Sequence, residues 1–279
     1  MRLVWQFLAV AAVALVGGQA TMAADGKPWI QLAIGLPTAV LSVLVYRWVV
    51  GRTEHRAVTE LDLEKAPAAL GRGTLIGAAL FTAVMVNLFT SGYYDVDGLA
   101  SVSGAMGLLG FMAAAAVTEE LLFRGVLFRI IERRLGTWLA MALTSALFGL
   151  MHLTNPNASL WGAAAITIEA GTMLTAAYVA TRKLWVPIGM HFGWNFAAGG
   201  IFSTEVSGNN TPQGLLDSTT SGPKLLTGGD FGPEGSVYSV LFGVLTAIVF
   251  MWLAYRRGHV VPARGKGAGR VGTTVTLPR

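Results

Sequence analysis

The sequence contains no cysteine and few charged residues. Asp, Glu, Lys and Arg make up 13% of its 279 residues, whereas hydrophobic residues make up 53% and the mean hydropathy is +0.58. The lack of cysteine excludes a disulfide scaffold, a thiol nucleophile and a thiolate metal site. Soluble domains have about 25% charged residues, and disordered chains are poor in apolar ones. The composition therefore excludes both classes and suits a lipid bilayer.

Eight apolar segments approach the length of about 20 residues that a membrane-spanning helix needs. They cover roughly residues 3–23, 29–50, 74–92, 99–128, 137–154, 158–180, 184–202 and 236–255. The sequence therefore predicts an all-α fold, a polytopic membrane helix bundle with about eight transmembrane helices. The first segment also resembles a signal peptide, because Arg2 precedes the apolar run and small residues follow near Ala23. Cleavage of residues 1–23 stays open.

The basic residues follow the predicted spans. If the N-terminus lies inside, all of the 20 basic residues except Lys27 and Lys224 fall on the inner side. The outer side carries acidic residues instead: Asp25, Asp95, Asp97, Glu205, Asp217, Asp230 and Glu234. This asymmetry follows the positive-inside rule and predicts that both termini are cytoplasmic. The net charge of +5 thus reflects topology, and no nucleic-acid partner is expected.

A few polar residues fall within the predicted spans, where an ionisable side chain costs about 2.5–3.5 kcal/mol. They are Glu119, Glu120, Arg124, His152, Glu169 and His191, with Asn87 and Asn195 as uncharged companions. We interpret Asn87 as structural. For Glu169, which has no obvious partner in the sequence, we favour a hydrogen bond between helices over catalysis.

The spacing of these residues groups them on helix faces. Glu120 and Arg124 are four apart and can pair, whereas Glu119 points about 100° away around the helix. His191 and Asn195 are also four apart, so both can reach one cavity. Each residue alone has a structural explanation, such as a packing pair or a hydrogen bond between helices. That explanation accounts poorly for two intramembrane histidines on separate helices that can meet Glu119.

This set of side chains suits the hydrolysis of an amide bond. A buried glutamate can act as a general base, and imidazole and amide N–H groups can stabilise an oxyanion. Glutamate and histidine side chains could instead hold Zn²⁺ with one position left for water. No His-Glu-x-x-His segment is present, and the serine and aspartate patterns of other intramembrane proteases are incomplete.

Three motifs resemble those of the CPBP family, which comprises CAAX prenyl endopeptidases and bacteriocin-processing enzymes and is also called the Abi family. Glu119-Glu120-Leu-Leu-Phe-Arg124 is similar to the family's Glu-Glu-x-x-x-Arg motif. Phe148-Gly-Leu-Met-His152 is similar to Phe-x-x-x-His, and His191-Phe-Gly-Trp-Asn195 to His-x-x-x-Asn. The order of the motifs and their placement on separate spans agree as well.

The resemblance implies a role for each motif residue. Glu119 would activate water with help from His152, Glu120 and Arg124 would orient the site, and His191 and Asn195 would stabilise the oxyanion. No cofactor is certain; if the reaction depends on a metal, Glu119, His152 and His191 would be its ligands. The resemblance also implies a catalytic helical core at 74–257, which includes an outer loop at 203–235. Two helices and a cytoplasmic loop precede it at 1–73, and a basic, disordered cytoplasmic tail follows at 258–279.

The sequence therefore predicts an intramembrane endopeptidase of the bacterial cytoplasmic membrane, with its cavity open towards the cytoplasmic side. Its partners would be membrane lipid and a peptide or protein substrate, with lipid modification of the substrate left open. Two alternatives belong to other classes. A proton-coupled transporter would use the same buried groups as a relay, although no internal repeat supports it. A non-catalytic immunity or scaffold protein would bind a peptide without cutting it.

Overall fold

The structure is a computed structural model that describes residues 2–263. Eight helices of this part of the chain form the bundle, with bounds close to the predicted spans. They are α1 Arg2–Ala23, α2 Pro28–Glu54, α3 Ala66–Thr90, α4 Val102–Leu135, α5 Thr137–Thr154, α6 Leu160–Thr181, α7 Trp185–Asn195 with its continuation Phe196–Ile201, and α8 Val237–Arg256. The all-α membrane bundle that the sequence predicts is therefore confirmed.

Seven helices in the described part of the chain are long and apolar enough to cross a membrane. The remaining one, α7, is shorter, with 11 α-helical and 6 π-helical residues. It lies among the other helices and buries most of its residues from Pro187 to Asn195. The count of eight spans thus stays a prediction, because α7 is a short helix enclosed by its neighbours.

Two predicted boundaries differ from the observed ones. Helix α3 begins at Ala66, with Pro67 in its first turn, and runs through the predicted division at residue 73. The tail predicted to be disordered from residue 258 begins with a packed segment. The main-chain N–H of Val261 donates to Thr137 Oγ1 at 2.8 Å, and His259 Nδ1 lies 3.1 Å from the Val179 carbonyl oxygen. Residues 264–279 lie outside the described residues.

A layer of paired charges lies at the inner end of the bundle, the end that carries most of the basic residues. Arg129 contacts Glu54 at 2.8 Å and Gln6 Oε1 at 3.0 Å, which ties α4 to α2 and α1. Glu60 accepts hydrogen bonds from Arg56 and from the Tyr46 hydroxyl. Buried charges need such partners, so this inner layer fixes the helix ends where they leave the apolar core.

Glycines let α3 and α7 approach closely. A Cβ on Gly77 would lie 2.0 Å from the Met190 carbonyl oxygen, and a Cβ on Gly193 would lie 2.1 Å from that of Thr74. Gly73 and Gly189, one turn away on the same two helices, are equally constrained. Both helices thus carry a Gly-x-x-x-Gly pattern, which permits backbone contact between membrane helices. This contact fixes the position of His191.

At the outer end, the opposite end of the bundle, two short strands pair. Strand β1 is Tyr94–Leu99 and strand β2 is Leu216–Thr220, and they run antiparallel with Tyr94 opposite Thr220. The pair joins the loop before α4 to the loop after α7. These strands were not predicted, because the alternation of apolar and polar residues in β1 covers only residues 94–97 and β2 does not alternate.

Three stretches of the helices are π-helical: Leu121–Phe128 in α4, Thr167–Thr172 in α6 and Phe196–Ile201 in α7. The first follows Glu119 and Glu120 directly, and the third follows Asn195. Such stretches are rare and occur often at functional sites, because they turn neighbouring side chains and free backbone carbonyls.

Candidate active site

The centre of the site is a buried ion pair on α4. Arg124 Nη1 donates to Glu120 Oε1 at 2.6 Å, as their spacing predicts. Arg124 Nη2 donates to the carbonyl oxygens of Ala170 and Gly171, both at 3.0 Å. These carbonyls belong to the π-helical stretch of α6, so the guanidinium joins α4 to α6. The pair is almost completely buried, with 0% exposure for Glu120 and 1% for Arg124.

His191 connects this pair to Glu119. Its Nδ1 lies 2.9 Å from Glu120 Oε1, and its Nε2 lies 3.9 Å from Glu119 Oε2. Because an ionised carboxylate can only accept, Nδ1 carries the hydrogen and Nε2 faces Glu119. Glu119 is 25% exposed, whereas Glu120 is closed off. The prediction that the two adjacent glutamates point in different directions is therefore confirmed.

His152 lies at the end of α5, and a contact with the main chain of the same helix fixes its side chain. Its Nδ1 is 2.7 Å from the Phe148 carbonyl oxygen, which leaves Nε2 free to face the cavity. The Phe148 ring packs against three groups of the site: the His152 ring at 4.9 Å, the His191 ring at 6.1 Å and the Arg124 guanidinium at 4.8 Å. Phe148 thus fills the space between the motifs.

One cavity of about 520 Å³ brings the predicted residues together. Glu119, His152, His191 and Asn195 all line it. Glu120 and Arg124 do not, so they support the site from behind. Asn195 lies one turn after His191 and is 8% exposed. The structure thus unites the four residues that were expected to contact water and substrate, and separates them from the two that were expected to orient the site.

The polar residues of the cavity lie at one end of it. Asn155, Ser207, Asn209 and Thr211 line this end, which we call the polar rim. These residues follow α5 and α7 and lie at the outer end of the bundle, away from the inner layer. The cavity thus has a polar outer end, and its opening towards the cytoplasmic side stays a prediction.

Glu234 is a residue of the site that the sequence analysis counted only as an outer-loop charge. Its side chain is 2% exposed, and it accepts hydrogen bonds from Trp194 Nε1 at 3.0 Å and Ser207 Oγ at 2.7 Å. Asn155 Nδ2 in turn donates to the Ser207 carbonyl oxygen at 2.7 Å. Burial raises the pKa of Glu234 above its usual range, although Ser207 and the two site histidines act in the opposite direction. Glu234 thereby joins α7, the outer loop and the end of α5.

The other polar residues of the spans lie apart from the cavity. Glu169 is fully buried, and neither carboxylate oxygen has a hydrogen-bond partner within residues 2–263. The expected hydrogen bond between helices is therefore wrong for this residue. Asn87 Nδ2 donates to the Ala83 carbonyl oxygen at 2.8 Å in its own helix, which agrees with a structural role.

The conditional metal ligands were Glu119, His152 and His191. Among the described residues, no three Asp, Glu or His side chains are arranged so that they could hold a metal ion together. The side chains present therefore do not form a coordination sphere, and we assign no metal ligand.

A comparison with protein families finds a match over part of the chain. Residues 101–197 match the family described as type II CAAX prenyl endopeptidase Rce1-like. Neither a curated protein nor a solved structure matches the chain significantly. The matched region runs from the start of α4 into the π-helical end of α7 and includes all three motifs. Over residues 101–197, the chain is therefore similar to the Rce1-like type II CAAX prenyl endopeptidases, in agreement with the resemblance of its motifs to the CPBP family.

Proposed function

We propose that the protein is an intramembrane endopeptidase that hydrolyses peptide bonds with a water activated by Glu119. The observation that supports this function best is the chain of contacts from Arg124 through Glu120 and His191 to Glu119. These contacts hold the Glu119 carboxylate and the His191 imidazole in one cavity that is otherwise mostly apolar.

The reaction would begin with a water molecule between Glu119 and the substrate carbonyl. Glu119 takes one proton from the water as its oxygen attacks the carbonyl carbon, and His152 helps to hold the water. The carbonyl π bond breaks, and the tetrahedral oxyanion accepts hydrogen bonds from the Asn195 amide and from the Nε2–H of His191, which carries hydrogen on both ring nitrogens at this step. The C–N bond then breaks, and the proton held by Glu119 passes to the leaving nitrogen.

Glu120 and Arg124 would act through His191 rather than on the substrate. Glu120 fixes the imidazole ring and favours its donor form at Nδ1, while Arg124 holds Glu120. We place the enzyme in a bacterial cytoplasmic membrane. Its substrate would be a peptide or membrane protein, and a prenylated C-terminal tail is the form that the family name suggests.

The test uses purified protein in liposomes with a quenched fluorescent peptide library. We expect wild-type protein to cleave, and Glu119→Gln to lose about 10²–10⁴-fold in rate, the usual contribution of a general base. His191→Ala should lose about 10²–10³-fold, as expected for an oxyanion donor. Glu64→Gln, an exposed change in the loop before α3, is the matched control and should cleave normally. Undiminished cleavage by both site variants would contradict the assignment.

Further measurements separate the remaining alternatives. Proton flux that depends on Glu119, without any cleavage, would indicate a transporter. A cellular phenotype that survives Glu119→Gln would indicate a scaffold. Loss of cleavage in chelator with rescue by zinc would assign the metal-dependent version. Parallel assays on one peptide with and without a prenyl group would decide the lipid requirement, and Glu119→Gln protein should retain bound substrate for mass spectrometry.

A further inference from the structure

The cavity extends well beyond the predicted catalytic residues along one face of α1. Phe7, Ala11, Ala14, Gly18 and Met22 line it, and their spacing places them on a single side of the helix. At 1.5 Å per residue this face is about 22 Å long. An extended peptide of about seven residues has the same length, at about 3.3 Å each. We call this apolar channel the α1 trough.

The α1 trough is open towards the side of the bundle. Leu15 and Met22 of α1 and Met151 at the end of α5 line the cavity, yet they are 66%, 57% and 39% exposed. Walls of a closed cavity would be buried, so the space between α1 and the end of α5 is a lateral opening. In a membrane this surface faces lipid, which admits apolar chains and excludes charged ones.

The two ends of the trough differ in polarity. Its outer end carries the polar rim, whose side chains can pair with the backbone N–H and C=O groups of a bound peptide. Such groups must be satisfied when a peptide leaves water or a helix within the membrane. At the other end lie the apolar side chains of Phe7 and Leu122, close to Gln6 and the inner layer. The trough therefore offers polar partners on the outer side.

We propose that the site binds an apolar peptide segment that enters sideways from the outer half of the membrane, between α1 and α5. The segment lies along the α1 trough and presents its scissile bond to Glu119 below the polar rim. This inference rests on the proposed endopeptidase function. It makes α1 part of the substrate site, although α1 lies outside the matched region 101–197.

The first experiment narrows the trough. Ala14→Trp places a large side chain in it, whereas Ala12→Trp adds the same side chain on the exposed face of α1. The probes are quenched peptides with and without a flanking stretch of leucine and alanine, assayed in liposomes. We expect Ala14→Trp to lower kcat/KM for the apolar peptides at least 10-fold and Ala12→Trp to leave it unchanged. Equal rates for both variants would overturn the inference.

A third variant, Glu119→Gln, distinguishes a failure of this inference from a failure of the proposed endopeptidase function. If wild-type protein cleaves the apolar peptides and Glu119→Gln does not, the endopeptidase function holds whatever Ala14→Trp does. If Glu119→Gln cleaves normally, or wild-type protein cleaves nothing, the function fails and the inference fails with it. Ala14→Trp could also lower kcat/KM equally for peptides with and without the apolar stretch, or it could prevent folding. Either result would show that Ala14 serves general packing and would overturn the inference that the α1 trough binds substrate.

The second experiment tests the side of entry, and the lack of cysteine makes it simple. Asn209→Cys places a single thiol on the polar rim, and Arg133→Cys places one at the exposed inner end. A membrane-impermeant maleimide should label Asn209→Cys in intact cells and Arg133→Cys only after permeabilisation. The reverse pattern would overturn entry from the outer side.

Discussion

Arg124 is the largest side chain that the described bundle buries almost completely. Its charge is offset by Glu120, and its other N–H groups donate to the Thr175 hydroxyl and to two carbonyls that the π-helical stretch of α6 provides. A guanidinium can satisfy several acceptors in a fixed plane, which an ammonium cannot. The residue therefore sets the distance between α4 and α6 as well as the orientation of Glu120.

Arg124→Ala should destabilise the protein and inactivate it. Removing one partner of a buried ion pair costs about 3–5 kcal/mol, because the other charge stays buried without compensation. Arg124→Lys should recover only part of the stability, since it cannot keep all of the contacts. Thermal unfolding followed by tryptophan fluorescence measures the effect. Arg133→Ala, whose side chain is 58% exposed, is the control and should change stability by less than about 0.5 kcal/mol.

A second prediction for a single residue concerns Glu234, which we expect to position the histidines of the site. Glu234→Ala removes the acceptor shared by Trp194 and Ser207 and should lower kcat more than it raises KM, because the substrate trough is unchanged. Glu234→Gln keeps an acceptor for Trp194 and should recover most of the activity. Steady-state kinetics on the quenched peptides decides it. Equal activity of Glu234→Ala and wild-type protein would show that the outer loop does not position the histidines.

The sequence was sufficient to single out the polar residues within the spans that the structure brings close together. Glu119, Glu120, Arg124, His152, His191 and Asn195 were all predicted, because an ionisable residue in a membrane span is conspicuous. Glu234 and Ser207 were missed, because a polar residue in a Gly- and Ser-rich loop is not conspicuous. Their burial depends on how the loop folds back into the bundle, which no local pattern encodes.

At the scale of elements, the contact between α3 and α7 controls the position of His191. Gly193→Ala would force a Cβ against the Thr74 carbonyl oxygen and push the two helices apart. We expect a loss of about 1–3 kcal/mol, as for other overpacked contacts, together with a loss of activity. The cleavage assay and thermal unfolding measure both.

Gly71→Ala provides the matched comparison for Gly193→Ala. Gly71 lies on α3 too, but a Cβ there would have no neighbour within 4 Å. Alanine is the better helix former by about 1 kcal/mol, so this variant should be as stable as wild-type protein or more so. If both glycine variants behaved alike, close packing of α3 on α7 would not explain the pattern.

The positions of the helices were predictable because each span is a long apolar run. The π-helical geometry inside some of these helices was not predictable. The π-helical stretches lie in ordinary apolar sequence, for example Leu121–Phe128. Their extra residue is stabilised by tertiary contacts, such as the hydrogen bonds of Arg124 to Ala170 and Gly171, which a local propensity cannot reveal. The early start of α3 at Ala66 was missed because Pro67, Gly71, Arg72 and Gly73 interrupt the apolar run in its first turns.

At the scale of the whole molecule, the inner layer should make stability depend on pH. Burial raises the pKa of Glu60, but the hydrogen bond from Arg56 and the charges of Arg129 and Arg56 outweigh it, so the pKa is lowered. A carboxyl with a lowered pKa contributes stability above its unfolded pKa of about 4.3 and loses it as the pH falls through the folded value.

Glu60→Gln tests this dependence. The variant should be less stable than wild-type protein at pH 7, and the difference should shrink as the pH falls below about 4. Midpoints of thermal unfolding measured between pH 7 and pH 3 give the comparison, with Glu64→Gln as the exposed control that should follow wild-type protein. A constant difference at every pH would mean that the Glu60 charge does not stabilise the fold.

The charge distribution of the bundle was predictable in part. The basic residues cluster at one end of the structure, around Arg129 and Arg182, as their positions in the sequence indicate. The position of the cavity was not predictable, because it depends on the outer loop and on the distance between α1 and α5. Neither quantity appears in the hydropathy or charge of single segments.

The two outer strands have a consequence for motion. A two-stranded sheet is marginally stable by itself, and most residues of β1 and β2 are exposed. Their amides should exchange with deuterium sooner than those of the helices, because opening the pair requires little unfolding. The pair continues into the hydrogen bond from the Ser101 N–H to the Gly214 carbonyl oxygen at the start of α4. Brief separation of the strands would therefore loosen the loop beside the polar rim and set how often the cavity is accessible.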